Sequence, residues 1–319
     1  MTITLREFDP QDTAFLTVLF NSTNPDEPVT EDQMKHWEQT YPANNPRIRR
    51  IAANDAGELV GYGECQFPFW SDAVDSYAVF TAVLPEWQHQ GIGRALLAAV
   101  VPFAVAQGAA RVRTECKEDS QSTIRFLEQA GFKQIGIRYE SALDVAAFDP
   151  TPFMPTIDRA SARYEITTLA DARQTDSEAD QHLYEVFAAT IVDVPFPGEE
   201  RAKPDYDNFR ADVLDAPNSD PNAIFIGRQD GRMVGMSSLV LLSNGVAITG
   251  MTGVLQAHRG SGLATALKVT SLRYLKEQGY HEARTHNDTA NPPILALNEK
   301  LGYRPLPGWL AWEKMLGES

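Results

Sequence analysis

Apolar and polar positions change period many times along this chain, and the changes come in the same order twice. In the first half, Thr2–Phe8 predicts a strand, and helical spacing over Asp12–Asn21 and near Thr30–Thr40 predicts two helices. Arg47–Asn54 and Glu58–Phe67 predict a hairpin turned by Asp55-Ala56-Gly57. A strand over Asp75–Leu84 leads to a helix over Gly91–Gln107, which Gly108 closes as its C-terminal cap. Strand Arg111–Cys116, helix Ser120–Ala130, a stop at Gly131 and a last pair of strands within Phe132–Leu143 follow. The second half predicts strand Arg163–Thr168, helices near Ser177–Ile191 and Pro204–Leu214, and a hairpin over Ala223–Leu242 turned by Asp230-Gly231. Strand Val246–Leu255, helix Gly260–Gln278, strand His281–His286, helix Pro293–Lys300 and a final strand near Trp309–Met315 complete it. Early hairpins and a late β-α-β order predict an α/β sandwich with a mixed sheet in each half, unlike a doubly wound nucleotide fold.

Residues recur along with the pattern. Val83-Leu84 through Gly91, Gly93, Ala95 and Leu96 aligns with Val254-Leu255 through Gly262, Ala264, Ala266 and Leu267; from Gly91 to Gly262 the offset is 171 residues. Without a gap it also pairs Gly108 with Gly279, Arg113-Thr114 with Arg284-Thr285, and Gly131-Phe132 with Gly302-Tyr303. Upstream, Gly61 answers Gly235 at 174, so insertions lie early in each half, where loops vary. Two domains are expected, residues 1–145 and 162–319, joined by a linker over 146–161 marked by three prolines. A length of 319 residues fits two domains of ordinary size.

Composition narrows the class. Hydrophobic content of 43% with 22% charged residues describes a soluble globular chain. The first ten residues carry acids and no apolar block, and the run Ala95–Val101 is too short to span a membrane. No signal peptide and no membrane contact are expected. Two cysteines, Cys65 and Cys116, suit a reducing cytoplasm. A net charge of −15 disfavours nucleic acid and mildly favours cationic partners. Scattered histidines give no metal site; His281 and His286 fall on opposite faces of their predicted strand. Nothing in the chain indicates an oligomeric state.

The strongest chemical signal is the turn between strand and helix. Gln88-His89-Gln90-Gly91-Ile92-Gly93 and Arg259-Gly260-Ser261-Gly262-Leu263-Ala264 each follow a strand and open a helix. Small residues let the backbone turn tightly, and the helix start presents unpaired N–H groups and a positive dipole end, which suits a diphosphate. Neither copy has the Gly-Lys-Ser/Thr of a Walker loop, and Leu96 and Leu267 occupy the third step where a dinucleotide fingerprint needs a small residue.

Gln/Arg-x-x-Gly-x-Gly/Ala after a strand resembles the pyrophosphate loop of the GCN5-related N-acetyltransferases. The segment Thr285-His286-Asn287 through Asn291 and Asn298 to Gly302-Tyr303 is similar to the one that lines the pantetheine arm in many of them. The resemblance covers both halves, on a two-domain plan seen in mycothiol synthase. It implies acetyl-CoA as acyl donor, a small-molecule amine as acceptor and no metal. It also implies that the N–H groups of Gln90, Gly91, Ile92, Gly93 and Arg94, and of Ser261, Gly262, Leu263, Ala264 and Thr265, hold the pyrophosphate. Gln88, His89, Arg259 and Gly260 complete the loops, and Asn291 lines the arm. The strand before each loop should splay from its neighbour, with Val83 and Val254 offering backbone to the pantetheine.

Acyl transfer to an amine needs a base for the nitrogen, donors for the oxyanion and an acid for the thiolate. Many family members place a tyrosine four residues before the Gly-Phe/Tyr pair; here Leu127 and Asn298 stand there. The glutamate of histone-type members is replaced by Tyr77 and Ile248. Glu115 and His286, at equivalent strand positions, are the candidate bases, with Asn298 the third catalytic candidate. Glu64 lies in the middle hairpin and is a candidate for the substrate cleft. Phe67-Pro-Phe-Trp70 and Val194-Pro-Phe-Pro197 are candidate substrate walls. The second half is the expected catalyst, because both its loop and its asparagine segment match. The alternatives are a non-catalytic CoA-sensing module and acyl transfer to a peptide or hydroxyl.

Overall fold

The computed structural model describes residues 2–68, 73–195, 203–288 and 290–317. The chain enters through β1 (Thr4–Glu7), α1 (Thr13–Thr23) and α2 (Glu31–Thr40), then lays down β2 (Arg47–Ala53), β3 (Leu59–Gln66) and β4 (Ser76–Val83). Next come α3 (Ile92–Ala106), β5 (Arg111–Lys117), α4 (Gln121–Gln129) and the long β6 (Lys133–Asp144). The second passage runs α5 (Met154–Ser161), β7 (Glu165–Thr168), α6 (Leu169–Thr175), α7 (Ala179–Ile191), α8 (Tyr206–Phe209), β8 (Ile224–Gln229) and β9 (Arg232–Leu241). It ends with β10 (Val246–Val254), α9 (Leu263–Glu277), β11 (Glu282–Asp288), α10 (Pro292–Leu301) and β12 (Arg304–Met315).

Two compact units result. Unit 1 gathers Met1–Ile137 with Pro307–Ser319, and unit 2 most of the stretch from Arg138 to Leu306. The sheet of unit 1 runs β1-β2-β3-β4-β5-β12, with β4 and β5 parallel and the other pairs antiparallel. The sheet of unit 2 runs β7-β8-β9-β10-β11-β6, parallel at β10 and β11 alone. The repeat in sequence is thus a repeat in topology.

At their last strands the units depart from the expected halves 1–145 and 162–319. Arg138–Asp144, in one strand with Lys133–Ile137 instead of a strand pair, aligns with β11 and belongs to unit 2. Trp309–Met315 aligns with β5 and belongs to unit 1, where Leu310 and Trp312 share a core with Val112, Cys116 and Phe132. The two closing strands follow the same motif in the repeat, and local periodicity does not name a strand's partner.

The expected linker is also ordered. Thr151–Phe153 forms a 3-10 turn and α5 follows at once, with Ala160 and Phe148 buried in the main core of unit 2. Its prolines mark helix starts: Pro152 and Pro155 occupy first-turn positions, where a missing N–H costs nothing. Among the described residues no helix is long and apolar enough to cross a membrane.

Helices cover both faces of each sheet. In unit 1, Gly61 and Gly63 let α3 approach β3 closely; a Cβ at either would stand 3.0–3.2 Å from Ala82 or Leu96 atoms. On the other face, Leu16 and Leu19 of α1 and Met34 of α2 cover Ile51, Tyr62 and Ala82. This clamps β4 between two layers up to its end at Val83, where the loop begins.

Candidate functional site

Both loops have the same backbone. Gly91 and Gly262 cap their helices at φ +84° and +88°, in the left-handed region that favours glycine. Two residues earlier His89 (φ 62°) and Gly260 (φ 71°) also match, so a histidine holds a conformation that its counterpart fills with glycine. His89→Gly is expected to change unfolding free energy by less than about 1 kcal/mol, because relief of left-handed strain opposes the added flexibility of the unfolded chain; thermal unfolding checks this. The first motif residue does the same job twice: Gln88 Nε2 donates to the Val83 carbonyl at 3.0 Å, and Arg259 Nε to the Val254 carbonyl at 3.0 Å. Those side chains tie the loop to the strand end. No side chain caps the first turn of α3, which leaves its backbone N–H groups to meet an anion, whereas in α9 the Leu263 N–H donates to Ser261 Oγ at 3.4 Å.

The parallel strands part early. β4 and β5 are in register from Ser76↔Arg111 to Ala78↔Arg113, while β4 continues to Val83. β10 and β11 are in register from Val246↔Glu282 to Thr249↔Thr285, while β10 continues to Val254, with a register shift against β9 between Thr249 and Met251. Past these rungs, facing backbone edges lack a strand partner, and such edges take up an extended ligand that carries amides.

In unit 1 the parted strands and the loop enclose a cavity of about 500 Å³. It brings together the sequence candidates Val83, Gln88, His89, Gly91, Ile92, Gly93, Arg94 and Glu115. Phe80 and Thr81 of β4, and Thr123 and Phe126 of α4, also line it. The sequence reading missed these, although Phe126 lies one residue before the Leu127 it compared with the family tyrosine. Leu127 itself is buried in the wall. A Cβ placed on Gly91 meets nothing within 4 Å.

The second loop is different at that very position. A Cβ on Gly262 would stand 2.8 Å from Thr156 Cγ2, because α5 lies against α9. Ser261 Oγ donates to the His258 carbonyl at 2.6 Å, and the His258 ring meets Tyr164 edge-on. His286 faces Glu140 of β6 across the sheet, 3.6 Å from its carboxylate, and Arg284 reaches the same fully buried carboxylate at 3.0 Å. Asn298 is buried on α10, donating to Asn287 Oδ1 at 2.7 Å, and Asn291 sits at the N-cap of α10. Of the aromatic candidates, Phe67 contacts Tyr77 edge-on inside unit 1, whereas Phe69, Trp70, Phe196 and Pro197 lie outside the described residues.

Two ionisable groups stand out by burial. Lys268, on α9, is 1% exposed; its Nζ has no hydrogen-bond partner among the described residues and lies 5.3 Å from the centre of the Tyr303 ring. Burial drives its pKa down to about 7. Only comparison with Leu97, its repeat partner, marks it in the sequence. Glu64, on β3, accepts from Tyr62 Oη at 2.9 Å and lies 3.9 Å from Arg47, and burial raises its pKa above the ordinary carboxylate value.

Known proteins match this architecture in both halves. The acetyltransferase (GNAT) family matches residues 14–132 and again 181–303. A mycothiol acetyltransferase of Streptomyces coelicolor is 25% identical over 303 residues, covering 94% of this chain and 91% of its own. One from Thermobifida fusca is 24% identical over 70% of this chain and 69% of its own. Among solved structures, a tandem GNAT protein from the clavulanic acid biosynthesis pathway superposes over all of both chains with a TM-score of 0.75 at 21% identity. A GCN5-related N-acetyltransferase from Sphaerobacter thermophilus covers 98% of this chain and 95% of its own with a TM-score of 0.67 at 16% identity. With one match in each half and a loop–helix turn inside both, the chain belongs to the acetyltransferase (GNAT) family as a tandem member.

Proposed function

We propose that the protein transfers an acetyl group from acetyl-CoA to the amine of a small molecule, and that the first cleft, not the second, takes the donor. One observation carries the choice: Gly91 opens onto free space and a cavity, whereas Thr156 stands over Gly262. Earlier expectation favoured the second half because its motifs match the family more fully. Motif matching does not register a helix from elsewhere in the chain laid against the loop.

The residues of the first cleft fit such a donor. Backbone N–H groups from Gln90 to Arg94 would hold the diphosphate, and the unpaired edges of β4 and β5 would pair with the amides of the arm. Phe126 and Leu127 form an apolar wall that keeps water from the thioester. The donor supplies an activated acyl group. A neutral amine nitrogen attacks its carbonyl carbon, the C–N bond forms as the C–S bond breaks, and Glu115 takes the proton the nitrogen sheds, directly or through water. Leu127 has no acidic proton, so the departing thiolate takes its proton from solvent or from the acceptor side.

The relatives matched over most of their length are named as mycothiol acetyltransferases, which makes desacetylmycothiol the first acceptor to assay, with glucosamine and simple diamines beside it. Calorimetry with coenzyme A should give one site per chain, and acetyl-CoA should release free thiol in an amine-dependent way. Failure to take up coenzyme A at all would remove the assignment. Tight uptake with no thiol release on any acceptor would favour a CoA-sensing module.

A further inference from the structure

The acceptor side of the first cleft carries a charge pattern legible from strand register. The last paired rung of β4 and β5 is Ala78↔Arg113. One step further on the same face, Arg49, Glu64 and Phe80 are successive neighbours across β2, β3 and β4, and Glu115 is the corresponding residue of β5. Phe80 and Glu115 therefore flank the gap where the strands part, and both line the cavity. Phe80 is 40% exposed, unusual for an aromatic ring in mid-strand. On the far side of Phe80 stands Glu64.

Burial disfavours the charge of Glu64, while Tyr62, Arg47 and Arg49 favour it. Glu38 of α2 binds Arg49 at 2.7 Å and Arg47 at 3.4 Å, so Glu64 shares both arginines with a second carboxylate. Arg47 also stacks over Tyr41 and Arg49 over Phe8, each with its guanidinium carbon 3.7 Å from the ring centre. Glu64 accepts from the Tyr62 hydroxyl and lies 3.9 Å from the Arg47 guanidinium. A carboxylate beside Phe80, an open aromatic face and a second carboxylate across the gap together suit a cation.

We propose that the acceptor's ammonium group is held over Phe80 between Glu64 and Glu115, which makes Glu64 a specificity-determining residue and the acceptor a cationic amine without an acid beside its nitrogen. This rests on the first cleft being the acetyl-transfer site. Glu115, on the cleft edge, then takes the proton, while Glu64 holds charge and orientation. A carboxylate next to the reacting nitrogen would face two acids of like sign.

The test uses the full chain saturated with coenzyme A, and calorimetric titration with 1,5-diaminopentane and with lysine, which adds a carboxylate to the same skeleton. Diaminopentane is expected to bind at least about tenfold tighter than lysine, and Glu64→Gln to lose about tenfold of that affinity, the size of one charge-assisted contact. Phe80→Leu, at an exposed position, should weaken diaminopentane similarly while leaving the fold intact. Coenzyme A affinity, measured separately on Glu64→Gln, should be unchanged. That readout tests the donor site and stands apart from the clamp. No diaminopentane binding to the CoA-loaded chain, equal binding of lysine, or wild-type affinity in both variants overturns the clamp.

Discussion

Replacing Gly91 with valine should lower affinity for coenzyme A by roughly a hundredfold, while the same change at Gly262 should leave it untouched. At Gly91 the fold offers room for a side chain, since a Cβ meets nothing within 4 Å. The cost to stability is the left-handed conformation, about 1–2 kcal/mol. The added methyl groups would stand where a diphosphate approaches the loop N–H groups, and each charge-assisted hydrogen bond lost is worth about 1.5–3 kcal/mol. At Gly262 the order reverses. A Cβ would press on Thr156 Cγ2, so overpacking adds about 1–3 kcal/mol to the strain and unit 2 should unfold at lower temperature. Calorimetry and thermal unfolding on both variants read the two effects separately. If Gly262→Val abolished uptake and Gly91→Val did not, the donor site would belong to unit 2.

Lys268→Met should stabilise the protein by about 2–4 kcal/mol at pH 7, one of the largest gains a single change could give. The lysine is 1% exposed, with the Tyr303 ring as its one charge-accepting neighbour among the described residues. Burial lowers its pKa from 10.5 to about 7, so the folded state prefers the neutral amine and the unfolded state the charged one. Stability is therefore complete above pH 10.5. It falls by about 1.4 kcal/mol per unit as pH drops toward 7, and levels off below that. At pH 7 this amounts to a cost on the order of 5 kcal/mol, part of which the Tyr303 face offsets. The repeat shows that an apolar side chain suits this place, because Leu97 occupies it in unit 1 and is buried there. Thermal unfolding of both proteins at pH 7 and pH 9.5 checks the claim. The variant should gain most at pH 7 and less at pH 9.5; a variant less stable than wild type at pH 7 would refute it.

What was legible in the chain, and what was not, divides along a physical line. The paired strand–glycine–helix turns, the Asp230-Gly231 hairpin and the helix stops at Gly108 and Gly279 depend on backbone preferences of a few adjacent residues. All of these glycines take positive φ, and Asp230 joins them. The first-loop candidates other than Gln90, together with Glu115, meet in one cavity because they lie on the strand, loop and helix of one β-α-β unit. Three features need knowledge of distant partners. Thr156 over Gly262 depends on where a proline-started helix settles. The Glu140–Arg284 and Glu140–His286 contacts depend on β6 aligning with β11. The closing strands of the two halves follow equivalent Gly-Phe and Gly-Tyr pairs, so nothing local tells either one which sheet to join.

The placement of β12 bears on how the protein is made. Arg113 binds Glu313 at 2.9 Å across 200 residues of chain, and Trp312 lies opposite Thr114 in the same ladder. Unit 1 lacks β12, the strand that pairs with β5, until the whole of unit 2 has been made. Domains released early from a ribosome ordinarily fold as they emerge. Here β5 must wait with an open edge through the whole of unit 2, a long-range closure of the slow kind and a period of exposure to wrong pairing. A nascent chain stalled a few residues short of Trp309 should therefore hold an unfinished first cleft, and a chaperone that shields strand edges would find its substrate there.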